Sequence, residues 1–162
     1  MCKNGIDCSI THKIVRYIIL KACIQDKDYV LINVYAPTKD KDQVNFFNKL
    51  LSILQNENLD SVDNIILGGD LNCALDPLLD KNSGASTKRK SVNSFVDDFK
   101  SKLDLVDILR PKNPDAKRFT WSKKSPPVFC RLHYWLISNN LSDFVELTEI
   151  IPAVRTDHDA IS

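Results

Sequence analysis

No hydrophobic run in the 162 residues approaches the roughly 20 that a membrane helix requires. The start, Met1-Cys2-Lys3-Asn4-Gly5, lacks the apolar stretch of a secretory leader, which predicts an intracellular protein, nuclear or cytoplasmic and not secreted. The five cysteines, Cys2, Cys8, Cys23, Cys73 and Cys130, include no Cys-x-x-Cys pair. Cys2, Cys8 and His12 could be imagined as metal ligands, but their spacing fits no common zinc pattern. Reduced thiols are the expectation. Internal repeats and interdomain linkers are also missing, so residues 1–162 read as one domain.

An excess of either charge is absent overall, with a net charge of +1. The charges are nevertheless uneven along the chain. From Lys81 to Arg131 there are thirteen Lys and Arg against five Asp and no Glu, and the remainder is correspondingly acidic. A face lying against phosphates would produce this asymmetry. A solvated loop would too, since Lys88-Arg89-Lys90 adjoins the flexible-looking Asn82-Ser83-Gly84-Ala85-Ser86. Hydrophobic content of 43% and charged content of 27% are those of a globular domain with a core.

The run Val62 to Leu67 reads as a buried strand, and Gly68-Gly69-Asp70-Leu71-Asn72 follows it directly. Glycine permits positive φ and close backbone approach. The strand therefore turns and delivers Asp70 and Asn72 at its carboxyl end, where α/β sheets place ligand sites. An acid and an amide two residues apart suit water activation, although an Asp capping a strand-to-helix loop has the same local sequence.

The other elements follow from periodicity. Ile14 to Ile24 and Tyr29 to Tyr35 read as strands of an antiparallel hairpin turned at Gln25-Asp26-Lys27-Asp28. Asp40 with Gln43 resembles a capping box, and Val44, Phe47, Leu51 and Leu54 give one buried stripe to a helix over 41–55. A polar loop spans about Cys73 to Lys90. Val92, Phe95, Val96, Phe99 and Leu103 mark a second amphipathic helix over 91–102, and Leu105 to Leu109 suits a helical turn. Strands are expected at Arg118 to Ser122, Val128 to Ser138 and Phe144 to Ile151. The strands containing Leu31, Ile66, Leu132 and Val145 are expected to pack in a core with helices 41–55 and 91–102 outside.

Five segments then occur in a telling order. They are Asn33-Val34-Tyr35-Ala36-Pro37, Gly68 to Asn72, Phe119-Thr120-Trp121, Arg131 to Ser138, and Thr156-Asp157-His158-Asp159-Ala160-Ile161. Together they resemble the endonuclease/exonuclease/phosphatase superfamily, the DNase I-like phosphodiesterases. The wording around Phe119 and Trp135 is most similar to endonuclease domains of non-long-terminal-repeat retrotransposons. The resemblance implies a four-layered α/β sandwich of two mixed β-sheets flanked by helices. This chain matches about the second two-thirds of that fold, with the amino-terminal strands missing and the last strand cut short.

The resemblance also implies roles. Asp70 would be the general base for water, Asn72 its orienter, and Tyr35 a hydrogen-bond donor to the scissile phosphate. Thr120 would line the site, Asp157 with Asp70 would hold Mg²⁺ (or Mn²⁺), and His158 would stabilise the transition state. DNA is the implied substrate, and a reverse transcriptase within a longer polyprotein the implied partner, with no membrane. One matched position departs from the pattern. His133 stands where the family has an Asp that accepts a hydrogen bond from the catalytic His, and a histidine supplies no negative charge. The family's metal-binding Glu has no counterpart here. The expectation is therefore a Mg²⁺-dependent DNA endonuclease domain impaired in catalysis. A non-catalytic pseudo-nuclease or retroelement remnant that at most binds nucleic acid is the alternative.

Overall fold

The computed structural model describes residues 7–82, 90–154 and 156–162. In chain order the elements are β1 (Asp7–Ile14), β2 (Tyr17–Ile24), β3 (Lys27–Tyr35), α1 (Asp40–Asn56), β4 (Asn64–Asp70), β5 (Lys81–Asn82) and α2 (Lys90–Lys102). There follow β6 (Leu105–Asp107), α3 (Leu109–Lys112), β7 (Trp121–Lys124), β8 (Pro127–Cys130) and β9 (His133–Ser138). A 3₁₀ turn at Asn139–Phe144, β10 (Ile150–Ile151) and β11 (Ala160–Ile161) complete the chain. Six strands form one mixed sheet in the order β1-β2-β3-β4-β9-β6. A three-stranded sheet, β5-β8-β7, and the β10–β11 pair complete the β structure among the described residues. This is the mixed α/β architecture expected from the sequence.

β3 and β4 are parallel, with Tyr35 opposite Asp70, and α1 supplies the crossover that parallel strands need. Alternation decides which face is covered. Val30, Ile32 and Val34 of β3 and Ile65 and Leu67 of β4 are buried against the helices. Phe47 of α1 meets Phe99 of α2 with ring centroids 5.6 Å apart, over the same face. Each such side chain contributes roughly 1.5–3 kcal/mol on burial. The opposite face is only half-covered: Ile18, Leu20, Leu31 and Ile66 are partly exposed there, and Trp135 lies against Gly68.

Several elements differ from the sequence reading. The strand expected from Ile14 begins at Tyr17, and Ile14 instead ends β1, Asp7–Ile14, an edge strand held by backbone pairing to β2 while most of its side chains face water. The hairpin turn is Gln25-Asp26 alone, both at positive φ (51° and 61°), so β3 begins at Lys27 rather than Tyr29. Leu105–Asp107 is a strand paired to β9, and the helical turn comes after it. Strand structure over Arg118 to Ser122 starts only at Trp121. The expected strand Val128 to Ser138 is broken at Arg131-Leu132, because β8 pairs with β7 whereas β9 pairs with β4. Leu132 therefore lies between strands. Phe144 to Ile151 forms only the tail of the 3₁₀ turn and two strand residues. Phe144 and Leu147 point outward and Val145 is half-buried outside any strand.

α1 lacks the expected capping box. Its N-cap is Lys39 without a side-chain cap bond, and Gln43 is buried instead, its Nε2 donating to the carbonyls of Leu71 and Asn72. Within the expected polar loop, Lys81–Asn82 pairs with β8 as β5. Met1 to Gly5, including Cys2, and the basic Lys88-Arg89 lie outside the described residues.

Candidate active site

β4 ends in a tight turn that brings one carboxylate to one rim of the sheet. A Cβ on Gly68 would fall 2.1 Å from the Trp135 ring. One on Gly69, at φ +137°, would fall 2.1 Å from the Val34 carbonyl oxygen. Only glycine fits either position. Asp70 follows, buried, with its Oδ1 accepting the Asn72 backbone N–H at 2.8 Å. Asn72 sits at φ 51°, a left-handed conformation that Asn tolerates, and its Nδ2 donates to the Ala36 carbonyl at 2.7 Å. Asn72 thus holds Asp70 through its main chain, while its amide ties β4 to the end of β3. Gln43 fastens the same loop from α1.

Antiparallel register sets His133 of β9 directly opposite Asp70. Its Nε2 is 4.0 Å from Asp70 Oδ2 and 3.3 Å from His158 Nδ1, and the two imidazoles meet edge to face. Burial holds the His133 pKa below the usual histidine value. The Asp70 charge opposes that shift, His158 adds to it, and Asp159 opposes it more weakly. His158 is brought in by a β-bridge to Trp121 and by Asp159 N–H donating to the Thr120 carbonyl. Thr120 is fully buried, and its Oγ1 accepts the N–H groups of Leu132 and His133 at 2.9 and 3.1 Å. The hydroxyl oxygen therefore fixes the start of β9.

Among the described residues, Asp70, His133 and His158 offer ligand atoms all within 4.8 Å of one another. Asp157 lies beside them in the chain, but its Oδ2 accepts the Trp121 indole N–H at 3.0 Å. Tyr35 stands in register with Asp70 at the same rim, 54% exposed, with Arg16 over its ring.

Sequence reasoning missed the structure directly behind this rim. Arg131, 2% exposed, pairs with Asp80 and Asp107, and Arg110 also reaches Asp80. The Tyr134 hydroxyl donates to the Arg131 carbonyl at 2.7 Å and accepts the Leu75 N–H at 3.0 Å. Burial pushes the Arg131 pKa down, but Tyr134, Asp107 and Asp80 outweigh it, and the guanidinium stays charged. Two of the thirteen cations between Lys81 and Arg131 thus serve the interior. Lys112, Lys117, Arg118, Lys123 and Lys124 remain exposed. No residue spacing announces this network; the only signal was an Arg two residues before an alternating strand.

A buried carboxylate and two imidazoles can take up protons or ligate a cation. The Mg²⁺ that the resemblance implied prefers six oxygen ligands, whereas this cluster offers one carboxylate and two ring nitrogens. Mg²⁺ does not fit the donor set that converges here.

A parallel β3–α1–β4 unit, an acid at its rim and an inward-reaching histidine from the last segment define the class. The chain has the fold of the endonuclease/exonuclease/phosphatase superfamily, the DNase I-like nucleases. It is similar to a 3′-5′ exonuclease of Neisseria meningitidis, with TM-score 0.73 and 16% identity over 98% of this chain and 69% of that one. It also matches the endonuclease domain of TRAS1, a telomere-specific non-LTR retrotransposon, with TM-score 0.71 and 10% identity over 96% of this chain and 67% of that one. In sequence it is 30% identical over 149 residues to the uncharacterized 149 kDa protein of transposon TX1 from Xenopus laevis. That match covers 91% of this chain but only 11% of the transposon protein. No family model matches the chain.

Proposed function

We propose that this chain is a retrotransposon-type DNA endonuclease domain whose phosphodiester-cleaving site is impaired. The observation that carries this reading is His133 opposite Asp70, with its ring against His158. Hydrolysis of a phosphodiester needs a base for water and donors for the oxygens of the transition state. In this reading Asp70 is the base, while Tyr35 and His158 are the donors. Asn72 orients Asp70 through its backbone N–H, and Thr120 positions β9 rather than substrate. His158 faces an imidazole where a carboxylate would favour its protonated, donating form. Loss of an orienting carboxylate in another catalytic triad costs on the order of 10⁴ in rate. The fold likeness and the transposon relative support a nucleic-acid substrate and a setting in a longer polyprotein. The exposed lysines at the end of β7 would lie against phosphates.

Nicking of supercoiled plasmid by the chain with Mg²⁺, beside the Asp70→Ala variant, tests this reading. No nicking above the Asp70→Ala background is expected. Robust cleavage by the unmodified chain, abolished in Asp70→Ala, would overturn the impairment.

A further inference from the structure

We propose that Asp70, His133 and His158 bind one borderline divalent transition cation, of the Zn²⁺ or Co²⁺ kind, in preference to Mg²⁺. The inference rests on the reading above only for where the site lies. One carboxylate oxygen and two imidazole nitrogens form the donor set that suits Zn²⁺, Co²⁺ or Ni²⁺, and three protein ligands leave a fourth position for water. Geometry agrees with chemistry. Ligand atoms about 2.0–2.1 Å from a tetrahedral Zn²⁺ stand about 3.3 Å apart. His133 Nε2 and His158 Nδ1 are already 3.3 Å apart, and Asp70 Oδ2 is 4.0 Å from His133 Nε2.

His133 reaches Asp70 and His158 through Nε2, while its Nδ1 is buried without a hydrogen-bond partner among the described residues and lacks the outer partner that usually orients a metal-binding ring. Two ring nitrogens facing each other can share one proton, or both can donate lone pairs to a metal. Asp70 and His133 sit on paired strands, and Thr120 clamps the start of β9. Half of the site is therefore built before a metal arrives. His158 follows a short loop closed by Thr156, whose Oγ1 donates to the His158 carbonyl at 2.7 Å.

The third histidine of the chain, His12, lies on β1 and pairs with Glu57, away from this cluster, and serves as the control. The full chain, without nucleic acid, is titrated with Zn²⁺ by calorimetry and with Co²⁺ by visible absorption. One equivalent of each should bind, with a tetrahedral Co²⁺ spectrum lacking a thiolate charge-transfer band, and millimolar Mg²⁺ should not displace it. Loss of an outer-shell partner costs 10–100-fold in metal affinity. Loss of a ligand in His158→Ala or His133→Ala should therefore cost more than about 100-fold, and His12→Ala should leave binding unchanged. Circular dichroism of each variant confirms folding, and His158→Ala, at the half-buried position, decides the matter if His133→Ala does not fold. Absence of one-equivalent binding, a thiolate band, or unchanged affinity in folded His158→Ala would overturn the site. Because no step reads cleavage, a negative result here leaves the nuclease reading standing, and an active Mg²⁺ nuclease leaves this one to be judged on binding alone.

Discussion

Two clusters of ionisable side chains sit at adjacent positions of the chain and treat their charges in opposite ways. Arg131, Asp80, Asp107 and Arg110 are matched, two cations against two carboxylates, with Tyr134 completing the hydrogen bonds. Two residues further on, His133 meets another imidazole and stands 4.0 Å from the Asp70 carboxylate. A buried charge is tolerated when it is paired and hydrogen-bonded. The first cluster therefore serves as scaffold, its opposite charges matched in the interior. The second brings one carboxylate and two imidazoles together at the rim, the donor set on which the proposals above rest. One break in the chain, at Arg131-Leu132, separates the two.

The comparison breaks most sharply at Arg131. Arg131→Ala leaves Asp80 and Asp107 buried without their main partner, and truncating one side of such a pair costs about 3–5 kcal/mol. His133→Ala removes a half-buried ring that has no satisfied Nδ1, and should cost under about 1 kcal/mol. Urea unfolding of both variants measures the difference. Equal losses would show that the two clusters are not scaffold and site.

The sequence exposed the parts in which a side-chain pattern is tied to burial. β4 and its glycine pair were legible because an apolar run must end where Gly69 adopts φ +137° against Val34. α1 and α2 were legible from their buried stripes, yet Gln43 was misread. It occupies a stripe position four residues before Phe47, and only the tertiary fold shows that it binds the Leu71 and Asn72 carbonyls rather than capping its own helix. β1 was not legible because it is an exposed edge strand, and backbone pairing leaves no mark on side-chain pattern. Asp70, His133 and His158 could each be picked out by motif. Their mutual geometry could not, since it depends on the β4–β9 register and the bridge from Trp121 to His158. The Arg131 network was hidden for the same reason: Asp80 is 51 residues away in sequence.

Thr120 joins the two regions, and its variant sharpens the contrast at intermediate cost. Thr120→Val keeps the shape but removes the oxygen that accepts the Leu132 and His133 N–H groups. Leaving such donors unsatisfied costs about 1–3 kcal/mol. About 2 kcal/mol of lost stability is expected by urea unfolding, less than for Arg131→Ala. A loss below about 0.5 kcal/mol would mean that water replaces the hydroxyl and that Thr120 does not hold the start of β9.

The smallest effect concerns Tyr134, and it separates the scaffold by pH. Burial, and then the Asp80 charge, raise the Tyr134 pKa well above its ordinary value against the opposing pull of Arg131. The folded chain therefore keeps a phenolic proton that the unfolded chain releases near pH 10. The stability from this difference is intact below about pH 10 and falls as pH rises beyond it, because the folded state then binds more protons. One proton corresponds to about 1.4 kcal/mol per pH unit. Tyr134→Phe loses the bonds to the Arg131 carbonyl and the Leu75 N–H, costing about 1 kcal/mol at neutral pH. In exchange, its stability should decline less steeply above pH 10, by about one proton. Urea midpoints of the two proteins across that range should converge as pH rises, since the other tyrosines and the lysines titrate alike in both. Parallel curves would mean that Tyr134 ionises freely in the folded chain and is not sealed into the scaffold behind the site.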